Sequence, residues 1–350
     1  MRGKCSYLLP IRRTVFSITE AKNFATYFQA LRAAGCEVIV IDGSYTAVFT
    51  RHAVIWGSIC LHHPVIRRFT YLNDKVNRFT YLNDKVNAVH TGVAIAANEK
   101  IILADDDVRY RAEEIALICE RLEKFDVVRP QNFIVPAPWW SRIETARMLI
   151  NRATLRMGDY PGTCAFRRSA ALRAGEYDGD VLFDNEEMIR HFARQGLSID
   201  HQIDLFIRKN PPRFHKWLEQ RPRQAYEDFG LRGKTIFFAS ILPLAVFLAF
   251  AGQNPPLIFF AAVLSLGSIL IAAAGRASGQ AAQVFPRSAC WFAPVWILER
   301  VASTYAAFYW YLVRGGYPFG EQILSKGIGR DWFAGGRTAS AATAKSLIRE

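Results

Sequence analysis

At 350 residues the chain has room for one large domain or two modest ones, and 51% of it is apolar. Its formal charge of +13 suits an anionic membrane surface or a phosphate-bearing substrate; with no stretch interleaving basic and aromatic residues, nucleic acid is not an expected partner. The six cysteines stand far apart without a CxxC pair, which argues against a zinc site and against a disulfide framework.

The first thirteen residues lack the apolar run of a secretory signal, so the N-terminal part is expected in the cytoplasm. Residues 7–11 read as a short buried strand. A helix follows: Ser17 and Glu20 have capping-box spacing, Phe24, Phe28 and Leu31 share a face, and Gly35 ends the pattern. The apolar run CEVIVID closes on Asp42, completing a βαβ unit whose loop lies at the carboxyl edge, where parallel sheets bind ligands. A ten-residue phrase, RFTYLNDKVN, then occurs twice unchanged, at 68–77 and 78–87. It lies between a strand near 59–65 and a helix entered around Lys85. A further strand at 100–103 runs straight into Asp105, Asp106 and Asp107. Helical patterns at 112–124 and 188–195 flank more strands, so residues 1–230 are expected to form a doubly wound, mostly parallel α/β sheet.

Residues 235–252 and 256–274 are uncharged runs of 18 and 19 residues. At roughly 1.5 Å per residue each spans about 27 Å, close to the roughly 30 Å of a bilayer's hydrocarbon core. They predict a transmembrane hairpin over 235–274. Arg221, Arg223, Arg232 and Lys234 before it and Arg276 and Arg287 after it place both flanks in the cytoplasm, at the inner membrane if the source is bacterial. Over 289–313, Glu299, Arg300, Ser303 and Thr304 lie on one side, while Trp291, Val295, Leu298, Tyr305 and Leu312 line another. That pattern predicts an amphipathic helix in the interface, with a third span as the alternative, followed by a basic cytoplasmic tail over 314–350.

Adjacent carboxylates at the end of a buried strand repel one another and need a reason to be there. In an extended chain Asp105 and Asp107 share a side and can share a hard divalent cation, with a phosphate-bearing substrate completing its shell. With Asp42 at a neighbouring strand end, they mark a candidate site. At these residues the sequence resembles the membrane-bound inverting glycosyltransferases of family 2, a group with the nucleotide-diphospho-sugar transferase (GT-A) fold that includes ceramide glucosyltransferases. The resemblance spans about residues 7–229.

The resemblance implies that Asp42 contacts the nucleotide base, Asp105 the ribose, and Asp107 a Mg2+ or Mn2+ ion on the diphosphate. The family's lysine, twenty residues before the first Asp of its DxD motif, matches Lys85, with His90 and Gly92 following in register. Lys85 belongs to the second copy of the repeat, so one ten-residue copy reads as a surplus loop insertion, cheap in closure entropy. Gly162 and Thr163 match a small-residue segment under the acceptor, beside Arg167 and Arg168. The acidic motif falls on Asp184, the implied general base, with Asn185 in place of a second carboxylate and Glu186 or Glu187 as substitutes. Gln220 and Arg223 match the QxxRW motif, with Gln224 where Trp is usual. The function implied is metal-assisted, inverting transfer of a sugar from a nucleotide-diphospho-sugar, expected to be a UDP-sugar, to a lipid or lipid-linked acceptor. The alternatives are a non-catalytic nucleotide-sugar binder at the membrane and a processive polysaccharide synthase.

Overall fold

The computed structural model describes residues 4–66, 68–72, 75–79, 81–252, 254–320 and 322–329, so the end of the expected basic tail, 330–350, lies outside the described residues. In chain order the elements are β1 (Cys5–Ile11), α1 (Ile18–Ala33), β2 (Cys36–Asp42), α2 (Thr46–Trp56), β3 (Leu61–Pro64), β4 (Arg68–Leu72), β5 (Lys75–Phe79), α3 (Asp84–Ile95), β6 (Lys100–Ala104), β7 (Val108–Arg109), α4 (Ala112–Arg121) and β8 (Val127–Ile134). Then come α5 (Trp139–Thr154), β9 (Thr163–Arg167), α6 (Arg168–Ala174), α7 (Asp184–Arg194), β10 (Ile199–Lys209), α8 (Phe214–Asp228), α9 (Arg232–Phe250), α10 (Asn254–Ala277), α11 (Ala281–Val284), α12 (Ala293–Leu312), β11 (Tyr317–Phe319) and β12 (Gln322–Leu324).

Eight strands form one mixed sheet in the order β3-β2-β1-β6-β9-β8-β10-β7. The strands β3, β2, β1 and β6 run parallel, as the apolar runs of β2, β1 and β6 imply, and β8 and β10 pair parallel beyond them. The departure is β9, antiparallel to both β6 and β8, with β7 an antiparallel edge. Its reversal has a local reason. The chain leaving α5 meets the sheet at its carboxyl edge, where the Asp105 N–H donates to the Gly162 carbonyl at 2.8 Å, and β9 runs back from there.

The N-terminal reading holds in detail. The Ser17 hydroxyl accepts the Glu20 N–H, Phe24, Phe28 and Leu31 are buried, and Gly35 leaves α1 at φ +89°. Gly92 lets α3 lie close on β1, because a Cβ there would meet the Leu8 side chain at 2.1 Å.

One apolar core joins the sheet's neighbours α5 and α8 to the later helices, through residues such as Ile143, Trp217, Phe238, Ala272 and Trp296. Among the described residues α9 and α10 are the two helices long and apolar enough to cross a membrane, and only 11% of each is buried. The polar side of α12 does not face water. Arg300, Ser303 and Thr304 are buried against the protein, while Trp291, Leu298 and Leu312 are the exposed side chains. Tyr305, read as apolar surface, donates its hydroxyl to the Ala239 carbonyl of α9 at 2.7 Å.

The chain after α12 also departs from a plain tail. The hairpin β11–β12 leads back to the segment before α7, where the Leu182 and Phe183 N–H groups donate to the Lys326 and Gly327 carbonyls at 3.0 and 3.1 Å.

Candidate active site

The ends of β6, β8 and β10 and the starts of α3, α5, α7 and α8 enclose a cavity of about 340 Å³. The aspartates enter it through a turn, not as an extended strand: the Val108 N–H donates to the Asp105 carbonyl at 3.1 Å. Their side chains consequently go three ways. Asp105 faces Lys85 at 2.6 Å, Asp106 takes Arg13 at 2.5 Å, and Asp107 lies 3.4 Å from Lys209. Gly162 is required beside them, since a Cβ would sit 2.5 Å from Asp105 Oδ2.

Lys85 stands at the start of α3 because Asn83, one of the residues preferred at a helix start, caps it by accepting the Lys85 N–H at 3.0 Å. From there Nζ reaches Asp184 Oδ2 at 2.9 Å and donates to Asn185 Oδ1 at 3.2 Å. The second copy of the repeat therefore supplies both the cap and the ammonium. Asp184, at the first turn of α7, is nine-tenths or more buried and lines the cavity. Its neighbours are engaged elsewhere: Glu186 with Arg129 at 2.7 Å, and Glu187 with Arg194 and the Gly329 N–H.

Gln220, Arg223 and Gln224 line the same cavity from α8. Arg223 donates to the Leu182 carbonyl at 2.8 Å and lies 4.6 Å over the Phe319 ring, so the returning C-terminal hairpin forms part of the wall. The Thr163 hydroxyl donates to the Leu103 carbonyl at 2.5 Å, which makes it a brace between strands beneath the cavity. Arg168 donates to the Val93 and Ala94 carbonyls, closing the end of α3 away from the cavity.

Asp42 is the predicted site residue that the structure does not bring to the cavity. Its Oδ2 takes His52 Nδ1 at 2.8 Å and His62 Nε2 at 3.0 Å, and Oδ1 accepts the Ser44 N–H at 2.8 Å. The three side chains could surround a metal ion, but their ligand atoms are already satisfied by one another. The Ser44 hydroxyl accepts the Arg13 N–H at 2.8 Å, so Asp42 shapes the loop from which Arg13 holds Asp106.

Burial and the nearby charges give the aspartates opposite characters. For Asp105, burial is outweighed by Lys85 and then Lys209, which hold its carboxyl below the ordinary range. Asp107 is pushed up to about 6 by burial and by repulsion from Asp105 and Asp106, which Lys209 only partly offsets. Asp107 Oδ1 is buried and has no hydrogen-bond partner among the described residues. A crowded carboxylate with an orphaned oxygen fits a cation, and Asp107 and Asp105 are the residues that could hold a hard divalent ion.

Sequence reasoning missed Lys209 and the buried network of Arg147, Asp159, Glu144 and Arg221, whose links run from 2.6 to 2.8 Å. Nothing local marks a lysine at a strand end. Only the pairing of Lys209 with Val108, one residue after the acidic turn, brings it in.

No family model and no curated protein matches the chain. Among solved structures, the mannosyltransferase PcManGT from Pyrobaculum calidifontis, in complex with GDP-Man and Mn2+, superposes with a TM-score of 0.50 at 17% identity, over 90% of this chain and 88% of that one. The chain shares the fold of that mannosyltransferase. Glucosyl-3-phosphoglycerate synthase from Mycobacterium tuberculosis, in complex with phosphoglyceric acid, overlaps more loosely, with a TM-score of 0.39 at 18% identity over 62% of this chain and 75% of its own.

Proposed function

We propose that the chain is a membrane-anchored inverting glycosyltransferase, moving a sugar from a nucleotide-diphospho-sugar to a hydroxyl of a lipid or lipid-linked acceptor. The observation that carries this reading is the orphaned, crowded Asp107 carboxylate in one cavity with Asp105, Lys85, Lys209 and Asp184. Asp107 and Asp105 would hold Mg2+ or Mn2+, which when bound supplies Lewis-acid neutralisation of the diphosphate.

The residues divide the remaining work. Asp184 accepts the acceptor's proton as its oxygen bonds to the anomeric carbon and the bond from that carbon to the diphosphate breaks. Asn185 cannot take that proton, and the Lys85 ammonium lies 2.9 Å from Asp184. Lys209 and Arg223, both on the cavity wall, offset charge on the departing nucleoside diphosphate. The exposed apolar faces of α9 and α10 support a bilayer as their surroundings, with the basic residues before α9 on the cytoplasmic side.

The test is transfer of labelled sugar by the purified full chain in lipid nanodiscs with Mn2+. Asp107→Ala should abolish transfer while the variant inserts and folds as before. Normal turnover by that variant would discard the metal assignment, and nucleotide binding without turnover in the parent would leave a non-catalytic binder.

A further inference from the structure

The part of the cavity away from the aspartates has its own chemistry. There the first turns of α5 and α8 meet, and the walls include Ile134, Met148, Ser141 and Trp217. Ser141 is 1% exposed and Trp217 4%. The Ser141 hydroxyl and the Trp217 indole N–H are both buried, and neither has a hydrogen-bond partner among the described residues. Two buried, orphaned polar atoms are costly unless a ligand satisfies them. The Trp217 ring is held rigidly for that task. The Arg221 guanidinium lies 4.4 Å from its centroid, and Arg221 is itself fixed by Glu144 at 2.8 Å.

From Trp217 an aromatic series leads out of the cavity. Phe214 stacks on Trp217 at 5.9 Å, and Trp139 meets Phe214 at 5.3 Å. Exposure rises along it, to 41% at Phe214 and 55% at Trp139. At its inner end Trp217 belongs to the core that packs α5 and α8 against α9, α10 and α12.

We propose that this is the acceptor's seat: a hydroxylated head group bonds to Ser141 and the Trp217 N–H, and a single apolar chain runs out along Phe214 and Trp139. The assignment rests on the glycosyltransferase reading for its name as an acceptor, but the amphiphile site itself does not. The cavity of about 340 Å³ lies at the low end for a ligand pocket and suits the head, while the chain stays on the aromatic track.

The probe is a monoalkyl glycerol brominated on its chain, added to the full chain in nanodiscs, with saturable quenching of tryptophan fluorescence read as binding. Binding should weaken about tenfold in Ser141→Ala and in Phe214→Ala, each removing one contact class. Phe214 is exposed, so its variant keeps the fold if Ser141→Ala does not. Glycerol without the chain should not compete at the same concentration. Affinity for UDP with Mn2+, measured by calorimetry, should stay unchanged in both variants. Quenching that is non-saturable, or equally tight in both variants, overturns the proposal. Saturable quenching without any nucleotide binding would leave the amphiphile site standing and bring down the glycosyltransferase reading instead.

Discussion

Burial alone would raise both Asp42 and Asp107, and the difference between them comes from their neighbours. Asp42 is held down to about 2, burial being outweighed by hydrogen bonds from His62, Ser44 and His52, whereas Asp107 sits at about 6 among other carboxylates. The folded value of Asp42 lies below its ordinary 3.8, so its contribution to stability is complete above that value and is lost as the pH falls through about 2. With a side chain 0% exposed, that contribution is about 2 kcal/mol. Asp42→Asn should therefore be less stable at neutral pH, and its thermal midpoint should fall less steeply between about pH 5 and pH 2. Parallel acid limbs for variant and parent would remove this account. The sequence marked Asp42 as special, and it is. Its use was not legible, because His52 and His62 arrive from α2 and β3, 10 and 20 residues further on, and it takes the packing of α2 as well as the register of β2 with β3 to bring them onto one oxygen. Asp184 was legible for the opposite reason: the start of α7 fixes its place from within one turn of its own helix.

Among the elements, the repeat offers an internal control. Lys75 and Lys85 have the same ten-residue surroundings in sequence, yet one stands on β5 and the other at the start of α3. The strands β4 and β5 pair only with each other, in a two-stranded sheet apart from the main one. A hairpin so placed adds length to a loop at about 0.6 kcal/mol per doubling. Deleting 68–77 should leave the rate of transfer and the thermal midpoint unchanged. Lys75→Met should be silent as well, whereas Lys85→Met should lower transfer about a hundredfold, by leaving Asp105 and Asp184 without their shared ammonium. Equal effects of the two lysine variants on the initial rate would mean that the copies share the work. The spacing of Lys85 from the acidic turn could be counted in the sequence; the hairpin could not, because β5 runs across the join of the two copies, so neither copy alone spells out the pairing.

Across the whole molecule, what couples the sheet to the apolar helices is charge as much as grease. Asp228 ends α8 with its side chain 1% exposed, Arg300 approaches it from α12 at 3.4 Å, and Lys234 from α9 at 2.7 Å. The helical spacing of Arg300 with Ser303 and Thr304 was visible, but it gave no sign of which side water occupies. A polar stripe on an apolar helix suits a water-facing surface as well as a buried partner, and here Asp228 decides for the latter. A buried carboxylate between two cations is poor evidence for stability compared with an apolar replacement, yet removing it alone leaves Arg300 buried and unneutralised. Asp228→Asn should therefore destabilise the nanodisc-embedded chain by about 3 kcal/mol, seen as a lower thermal midpoint. Replacing the pair together, as Asp228→Leu with Arg300→Met, should recover most of the loss, since Lys234 is 20% exposed and can turn to water. If the single variant melts with the parent, the junction is held by apolar packing alone. If the double variant melts below the single one, the ion pair contributes more than its desolvation costs, and the helices are oriented on the sheet by that pair.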